Sequence, residues 1–238
     1  MHVETALALT TPWDLAALAF LALAWLAIGW RIEHPGRTPS VTVLMADYRR
    51  DWMRQYAARD NRIFDAQLLG TLRQGTSFFA STSLLAIGAV LAVVGNTAPL
   101  QSVAEDLGGG PAPALVWQMK LLVVALFLAQ AFLKFVWSHR LFGYCAVVMG
   151  AVPAPGEPGG EARAGQAAEL NIRAAWNFNR GLRAMYFALA ATAWLLGAAA
   201  LALAIALTVW VLWSREFASQ SRKLLQRENP MAPRAPSP

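Results

Sequence analysis

Two clusters of ionisable and amide side chains are the first candidates for function. The first cluster comprises Arg59, Asp60, Asn61, Arg62, Asp65 and Arg73, and the second comprises Asn177, Arg180 and Arg183. Asp65 follows Arg62 by three residues, a spacing at which an acid and a base pair on one helix face. The clusters form either exposed ion pairs, each of which contributes little to stability, or one polar layer at the mouth of a membrane bundle, where such residues are usually functional.

Further polar side chains lie within long apolar blocks, where ionisable groups are costly and usually functional. Gln130, Lys134 and Ser138 are four residues apart and therefore share one helix face. Lys134 either lines an ion path or extends its long stem to the membrane interface. Ser77 and Ser81 begin an earlier block, where small hydroxyl residues either mediate close helix packing or line a polar path.

The sequence carries no motif that indicates catalysis or a bound cofactor. It lacks a Gly-x-Ser-x-Gly elbow, a His-Glu-x-x-His zinc motif and a Walker loop. Cys145 is the one cysteine, so an internal disulfide and a cysteine-based metal site are excluded. We therefore expect a protein that is not an enzyme, with no catalytic residue, no metal and no cofactor.

The composition around these residues is typical of an integral membrane protein. Hydrophobic residues make up 57% of the chain and charged residues 14%, against about a quarter charged in soluble domains. About 20 mostly apolar residues cross the hydrocarbon core as a helix, and four blocks qualify: 13–30, 78–94, 115–137 and 186–213. The predicted fold is an all-α, polytopic membrane helical bundle, in a single domain over residues 1–228.

The segments between the spans predict further helices on the cytoplasmic side, over residues 38–74 and 161–185. From Val41 to Tyr56, apolar and aromatic residues recur at three- and four-residue steps, the pattern of an amphipathic helix. Such a helix lies in a membrane interface or packs on the protein's own core, and the pattern leaves both open. Residues 95–113 predict a flexible loop, and the Pro-rich residues 229–238 predict a disordered tail.

The distribution of Lys and Arg predicts the orientation, because cytoplasmic loops carry an excess of both. Eight basic residues lie from Arg31 to Arg73, six lie from Lys134 to Arg183, and residues 95–113 contain none. This places both basic regions in the cytoplasm and the N-terminus outside. Four crossings then leave the C-terminus outside, although five basic residues follow the last span. Either the charge rule fails there or a crossing has been miscounted.

Six short motifs carry a family resemblance over nearly the whole chain. They are Arg59–Asp65, Phe78–Leu85, Lys134–Ser138, Phe178–Arg183, Tyr186–Leu189 and Arg215–Phe217. They resemble the DUF599 family of bacterial membrane proteins. The chain departs from the family where an Asn is expected before Tyr144 and Gly143 stands instead. The resemblance implies a multi-pass protein of a bacterial inner membrane and, because the family's function is unknown, implies no activity.

Two functions fit these observations. The polar faces and the cytoplasmic arginines favour a small oligomeric channel or transport-related protein, in which four helices per chain would require several copies to form a pore. The alternative is an accessory or scaffold protein that docks a partner on the basic amphipathic helix. The net charge of +6 fits basic loops at anionic headgroups. The expected partners are therefore the lipid bilayer and a second copy or another membrane protein, and not nucleic acid.

Overall fold

The structure, a computed structural model, describes residues 11–106 and 113–226, and all regular secondary structure in this part of the chain is helical. The helices are α1 (Pro12–Glu33), α2 (Val41–Ala58), α3 (Ile63–Gly95), α4 (Ala98–Asp106), α5 (Ala114–Gly150), α6 (Gly160–Thr192), a 3₁₀ turn (Ala193–Leu196), α7 (Ala198–Phe217) and α8 (Gln220–Gln226). Four helices, α1, α3, α5 and the one that begins at Ala198, are long and apolar enough to cross a membrane. The predicted all-α fold is confirmed. The predicted tail, 229–238, lies outside the described residues.

Three helices are much longer than a bilayer is thick. Helix α5 has 37 residues and α3 and α6 have 33 each, which gives lengths of about 50–55 Å against about 30 Å of hydrocarbon. The predicted span 115–137 and the apolar patch that follows it therefore belong to one continuous helix. Within the predicted loop 95–113, residues Ala98–Asp106 form helix α4.

The apolar core has two main parts, stacked along the long helices. One joins α1, the first part of α5, the end of α6 and α7, with Leu21, Phe187 and Leu201 almost fully buried. The other joins α2, the start of α3, the end of α5 and the start of α6, around Met53 and Phe142. The first part is set among the apolar spans. The second part belongs to an extension of the bundle beyond them.

Helix α2 packs on this second core. Ser40 fixes its start, because its hydroxyl donates to the Ile32 carbonyl over 2.6 Å and accepts from the Val43 amide over 3.1 Å. Met53 is fully buried, and the Tyr56 hydroxyl donates to the Met149 carbonyl over 2.8 Å. Of the two sequence interpretations, the structure shows packing on the protein's own core. This apolar face is therefore not free to lie in a membrane interface or to dock a partner.

The predicted fourth span, 186–213, is divided by a reversal of the chain at Gly197. Gly197 has φ +113°, a conformation that side-chain-bearing residues rarely adopt, and it separates the 3₁₀ turn from α7. The Trp194 indole donates to Asp14 at the start of α1 over 2.7 Å. At the other end of α7, the Arg31 guanidinium lies 4.5 Å from the Phe217 ring centroid. Helix α6 thus runs antiparallel to α1, and α7 runs parallel to α1.

This reversal brings the basic C-terminal segment to the end of the bundle that holds α2. Glu216 accepts from the Thr42 amide and hydroxyl over 3.0 and 2.9 Å, and Arg222 donates to the Pro39 carbonyl over 2.9 Å. The predictions of a cytoplasmic region at residues 38–74 and an external segment after the last span are therefore incompatible. The conflict arises because the block 186–213 was counted as one crossing. It contains the end of α6, the turn at Gly197 and the returning helix α7.

Candidate functional site

Asp65 is fully buried where α2 meets α3. It accepts from the Trp52 indole over 2.6 Å and from the Arg59 guanidinium over 2.7 Å. Arg62, the pairing partner expected from sequence spacing, donates instead to the carbonyls of Val152 and Pro153, each over 2.7 Å. This cluster therefore ties the α2–α3 corner to the loop between α5 and α6.

Of the three other members of the first predicted cluster, Asp60 and Asn61 adjoin this corner and Arg73 lies eight residues after Asp65 on α3. Asp60 and Asn61 are exposed, and the Asn61 side chain accepts from the Ile63 amide over 3.0 Å at the start of α3. The Arg73 carbonyl accepts from the Thr76 hydroxyl over 2.7 Å, and the buried Arg73 Nε has no hydrogen-bond partner among the described residues. Asp60 and Asn61 therefore lie on the surface of this corner.

Arg180 and Arg183 share one carboxylate, that of Glu33 at the end of α1. Arg180 donates to it through Nε over 2.8 Å and through Nη2 over 2.5 Å, and Arg183 donates through Nη2. Arg183 is nearly fully buried, with 7% of its side chain exposed. Asn177, the third predicted member, donates instead to the Arg173 carbonyl of its own helix over 2.8 Å.

The two predicted clusters occupy different levels of the bundle. The corner around Asp65 lies beside Val152, just after the end of α5, whereas Arg180 and Arg183 line a cavity together with Lys134. Arg73, whose carbonyl lies 3.4 Å from His139 Nδ1, is at a level between Val152 and Lys134. Val152 and Lys134 are separated by about 25 Å along the direction of α5. The structure thus shows two separate polar sites where one polar layer was a sequence hypothesis.

The predicted intramembrane face is also divided. Gln130 and Lys134 line a cavity with Glu33 and the paired arginines, whereas the Ser138 hydroxyl is buried and donates to the Ala174 carbonyl over 2.7 Å. Ser77 and Ser81 are exposed on the outer surface of α3. Ser138 therefore joins α5 to α6, and the two α3 serines do not line a path within this bundle.

A partly polar cavity lies between α2, α3, α5, α6 and α7. Its volume is about 370 Å³, within the lower range of small-molecule sites. Met45, Leu72, Phe142 and Phe178 give it apolar walls. Its polar lining comprises Thr42, Arg49, Thr71, Thr76, Trp176, Asn179 and Glu216.

Two of the residues that line this cavity have donors that the described residues do not fully use. Arg49 forms no ion pair among the described residues, and its guanidinium donates to the neutral Asn171 side chain. The Trp176 indole N–H is buried without a hydrogen-bond partner among the same residues. Glu216, by contrast, is already bonded to Thr42 and lies within electrostatic range of Arg183. A ligand that accepts hydrogen bonds and carries negative charge complements this arrangement.

Burial affects the charge at this site without removing it. Desolvation lowers the pKa of the Arg49 guanidinium below its ordinary value, because the charged form is disfavoured away from water. Arginine nevertheless remains protonated at neutral pH. Arg49 therefore presents a half-buried positive charge that its one hydrogen-bond partner does not neutralise.

Sequence reasoning did not assign Arg49, Trp176 or Glu216 to a site, and it missed Glu33. These residues come from helices far apart in the chain, so no local spacing connects them. The one available signal was Glu33 itself, an acid at the end of an apolar span that requires a basic partner. Among the described residues no group of His, Cys, Asp and Glu could hold a metal ion.

The fold and these sites define an all-α membrane protein whose long helices continue into an extension beyond the spans. The chain belongs to the DUF599 family, which is described as "Protein of unknown function", and the family model matches residues 16–221. No curated protein and no solved structure matches the chain.

Proposed function

We propose that this chain is a transport-related, multi-pass protein of a bacterial inner membrane that binds a small organic anion in the cavity around Arg49. It acts without catalysing a reaction and without a cofactor. The observation that carries this proposal is the half-buried guanidinium of Arg49 in the cavity lining, which no carboxylate among the described residues neutralises. Burying a charged donor is costly unless its hydrogen bonds are completed, and an anionic ligand would complete those of Arg49.

The position of the cavity supports a role in transport over a role in docking. It lies beside the ends of the apolar helices, where α2 and the returning α7 meet α6. The apolar core among the spans is packed with buried side chains, so a continuous water-filled path within one chain is not part of this arrangement. A solute that binds here requires a change in helix packing, or several copies of the chain, in order to cross.

Replacing Arg49 is expected to weaken anion binding about 10- to 100-fold, because charge-assisted hydrogen bonds are lost. Purified protein in lipid nanodiscs is titrated with acetate, succinate, glycerol 3-phosphate and inorganic phosphate, and binding is measured by calorimetry. We expect at least one anion to bind the wild type, and neutral succinamide not to bind. The ligand that binds is then tested for uptake into proteoliposomes.

The neighbouring Arg50 supplies the matched control. Arg50 is exposed and paired with Asp47 and Glu169, so Arg50→Gln removes the same charge outside the cavity and should leave affinity unchanged. The proposal fails if no anion of the panel binds, or if Arg49→Gln and Arg50→Gln bind equally well.

The orientation that fits this role has the N-terminus outside, five crossings and the C-terminus in the cytoplasm. The extra crossing is the apolar end of α6, which the reversal at Gly197 separates from α7. With this count, the basic C-terminal segment joins the other basic regions on one side, in agreement with the positive-inside rule.

Cysteine labelling tests this orientation in intact cells. Cys145 is buried, so substitutions at the exposed positions Ser102 and Gln220 provide the accessible thiols. An impermeant maleimide should label Ser102→Cys in intact cells, and Gln220→Cys only after permeabilisation. Labelling of both in intact cells would mean four crossings and an external C-terminus.

A further inference from the structure

A second cavity, of about 230 Å³, lies between α1, α5 and α6 at the end of the apolar part of α1. Its polar lining is formed by Gln130, Lys134, Arg180, Arg183 and Glu33. Trp25, Leu26 and Trp30 of α1 form its apolar side. It is separate from the cavity around Arg49 and shares no lining residue with it.

The charge in this second cavity is not balanced. Three cations, Lys134, Arg180 and Arg183, face one carboxylate, and that carboxylate is bonded to both arginines. Lys134 forms no ion pair among the described residues. Glu216 lies within electrostatic range of Arg183 from the other side, and even with it the cations remain in excess.

The surroundings of this cavity face the bilayer. Leu26 and Trp30 are 59% and 63% exposed on an apolar helix, and on such a helix this surface contacts lipid. Leu133, next to Lys134 on α5, is similarly exposed at 61%. The cavity therefore presents positive charge at the depth of the headgroups and an apolar, partly aromatic wall at the depth of the acyl chains.

We propose that this cavity is a binding site for an anionic phospholipid of the leaflet at the end of α1. The lipid phosphate accepts hydrogen bonds from Lys134 and Arg180, and the acyl chains lie along Leu26 and Trp30. Basic pockets between transmembrane helices bind phosphate headgroups by this chemistry. A phosphate on a lipid fits better than free phosphate, because the apolar wall continues directly from the cationic lining.

Native mass spectrometry of the full-length protein in detergent tests the proposal. Phosphatidylglycerol and phosphatidylcholine with identical acyl chains are titrated in parallel, and inorganic phosphate is added as a competitor. We expect retention of phosphatidylglycerol over phosphatidylcholine, and about fivefold weaker binding of phosphatidylglycerol by Lys134→Gln. Lys223→Gln, which removes an exposed lysine on α8, should bind like the wild type.

Each remaining outcome contradicts the proposal. Equal retention of the two lipids would show that the site does not distinguish headgroup charge. Full competition by inorganic phosphate would identify a free-anion site. Equal binding by Lys134→Gln and Lys223→Gln would remove Lys134 from the site.

Lys134 carries no ion pair that holds the fold together, and an unchanged melting temperature of Lys134→Gln is the check that any loss is local. Arg49→Gln should leave lipid retention unchanged, which separates this site from the anion cavity.

Discussion

Glu33→Gln is expected to destabilise the protein by about 3–5 kcal/mol, because it leaves a buried guanidinium without its counter-charge. Glutamine preserves the size of the side chain and one acceptor oxygen, so the loss reports charge rather than packing. Arg183 is the residue most affected, since it is almost fully buried and Glu33 is its one ion-pair partner among the described residues. The measurement is the free energy of unfolding by SDS titration in mixed micelles.

Two further variants make this result specific. Glu169→Gln breaks an ion pair with Arg50 in which both side chains are about half exposed, and it should cost less than about 1 kcal/mol. Glu33→Gln combined with Arg183→Met should recover much of the loss, because apolar side chains often replace a buried ion pair at little cost. If Glu33→Gln unfolds no more easily than Glu169→Gln, the cluster does not stabilise the bundle.

Gly181→Ala is expected to destabilise the contact between α5 and α6 by about 1–3 kcal/mol. A Cβ atom at this position would lie 2.6 Å from Cε1 of Phe135 and 2.8 Å from two other atoms of the same ring. That ring is fully buried and packs against Phe79 and Phe178, with centroids 5.4 Å away in each case. It therefore cannot move aside, and the helices must separate.

The same helix contains a matched control. At Gly165 of α6 a Cβ atom would meet no atom within 4 Å, so Gly165→Ala should be neutral or stabilise the helix by about 0.5–1 kcal/mol. Combining Gly181→Ala with Phe135→Leu should restore part of the lost stability by making room for the methyl group. A Gly181→Ala variant with a wild-type free energy of unfolding would show that α5 and α6 do not approach this closely.

The membrane spans could be predicted from sequence because each is defined by the composition of a single stretch. The spans in α1, α3 and α5 have this property, and each predicted block lies within a helix of the structure. The block 186–213 was harder, because the turn within it depends on Gly197 alone, among Ala and Leu residues that continue the apolar pattern. Its length, well above what one crossing needs, was the available sign of a second helix.

The candidate sites were predictable only where the partners are close in sequence. Asp65 and Arg59 are six residues apart, and the cluster that contains both was identified, although the pairing was assigned to Arg62. Glu33 and Arg183 are 150 residues apart, and their contact depends on how α1 packs against α6. The same applies to Arg49 and Trp176, since helix packing alone brings them to one cavity.

The continuity of α5 and α6 between the two cores has a mechanical consequence. Neither helix is broken between the region of the cavity around Arg49 and the region of the spans, so each behaves as a stiff rod. A tilt of about five degrees at one end of a rod about 50 Å long displaces the other end by roughly 4 Å. A change in helix packing at the cavity around Arg49 would therefore change the spacing of the same two helices among the spans.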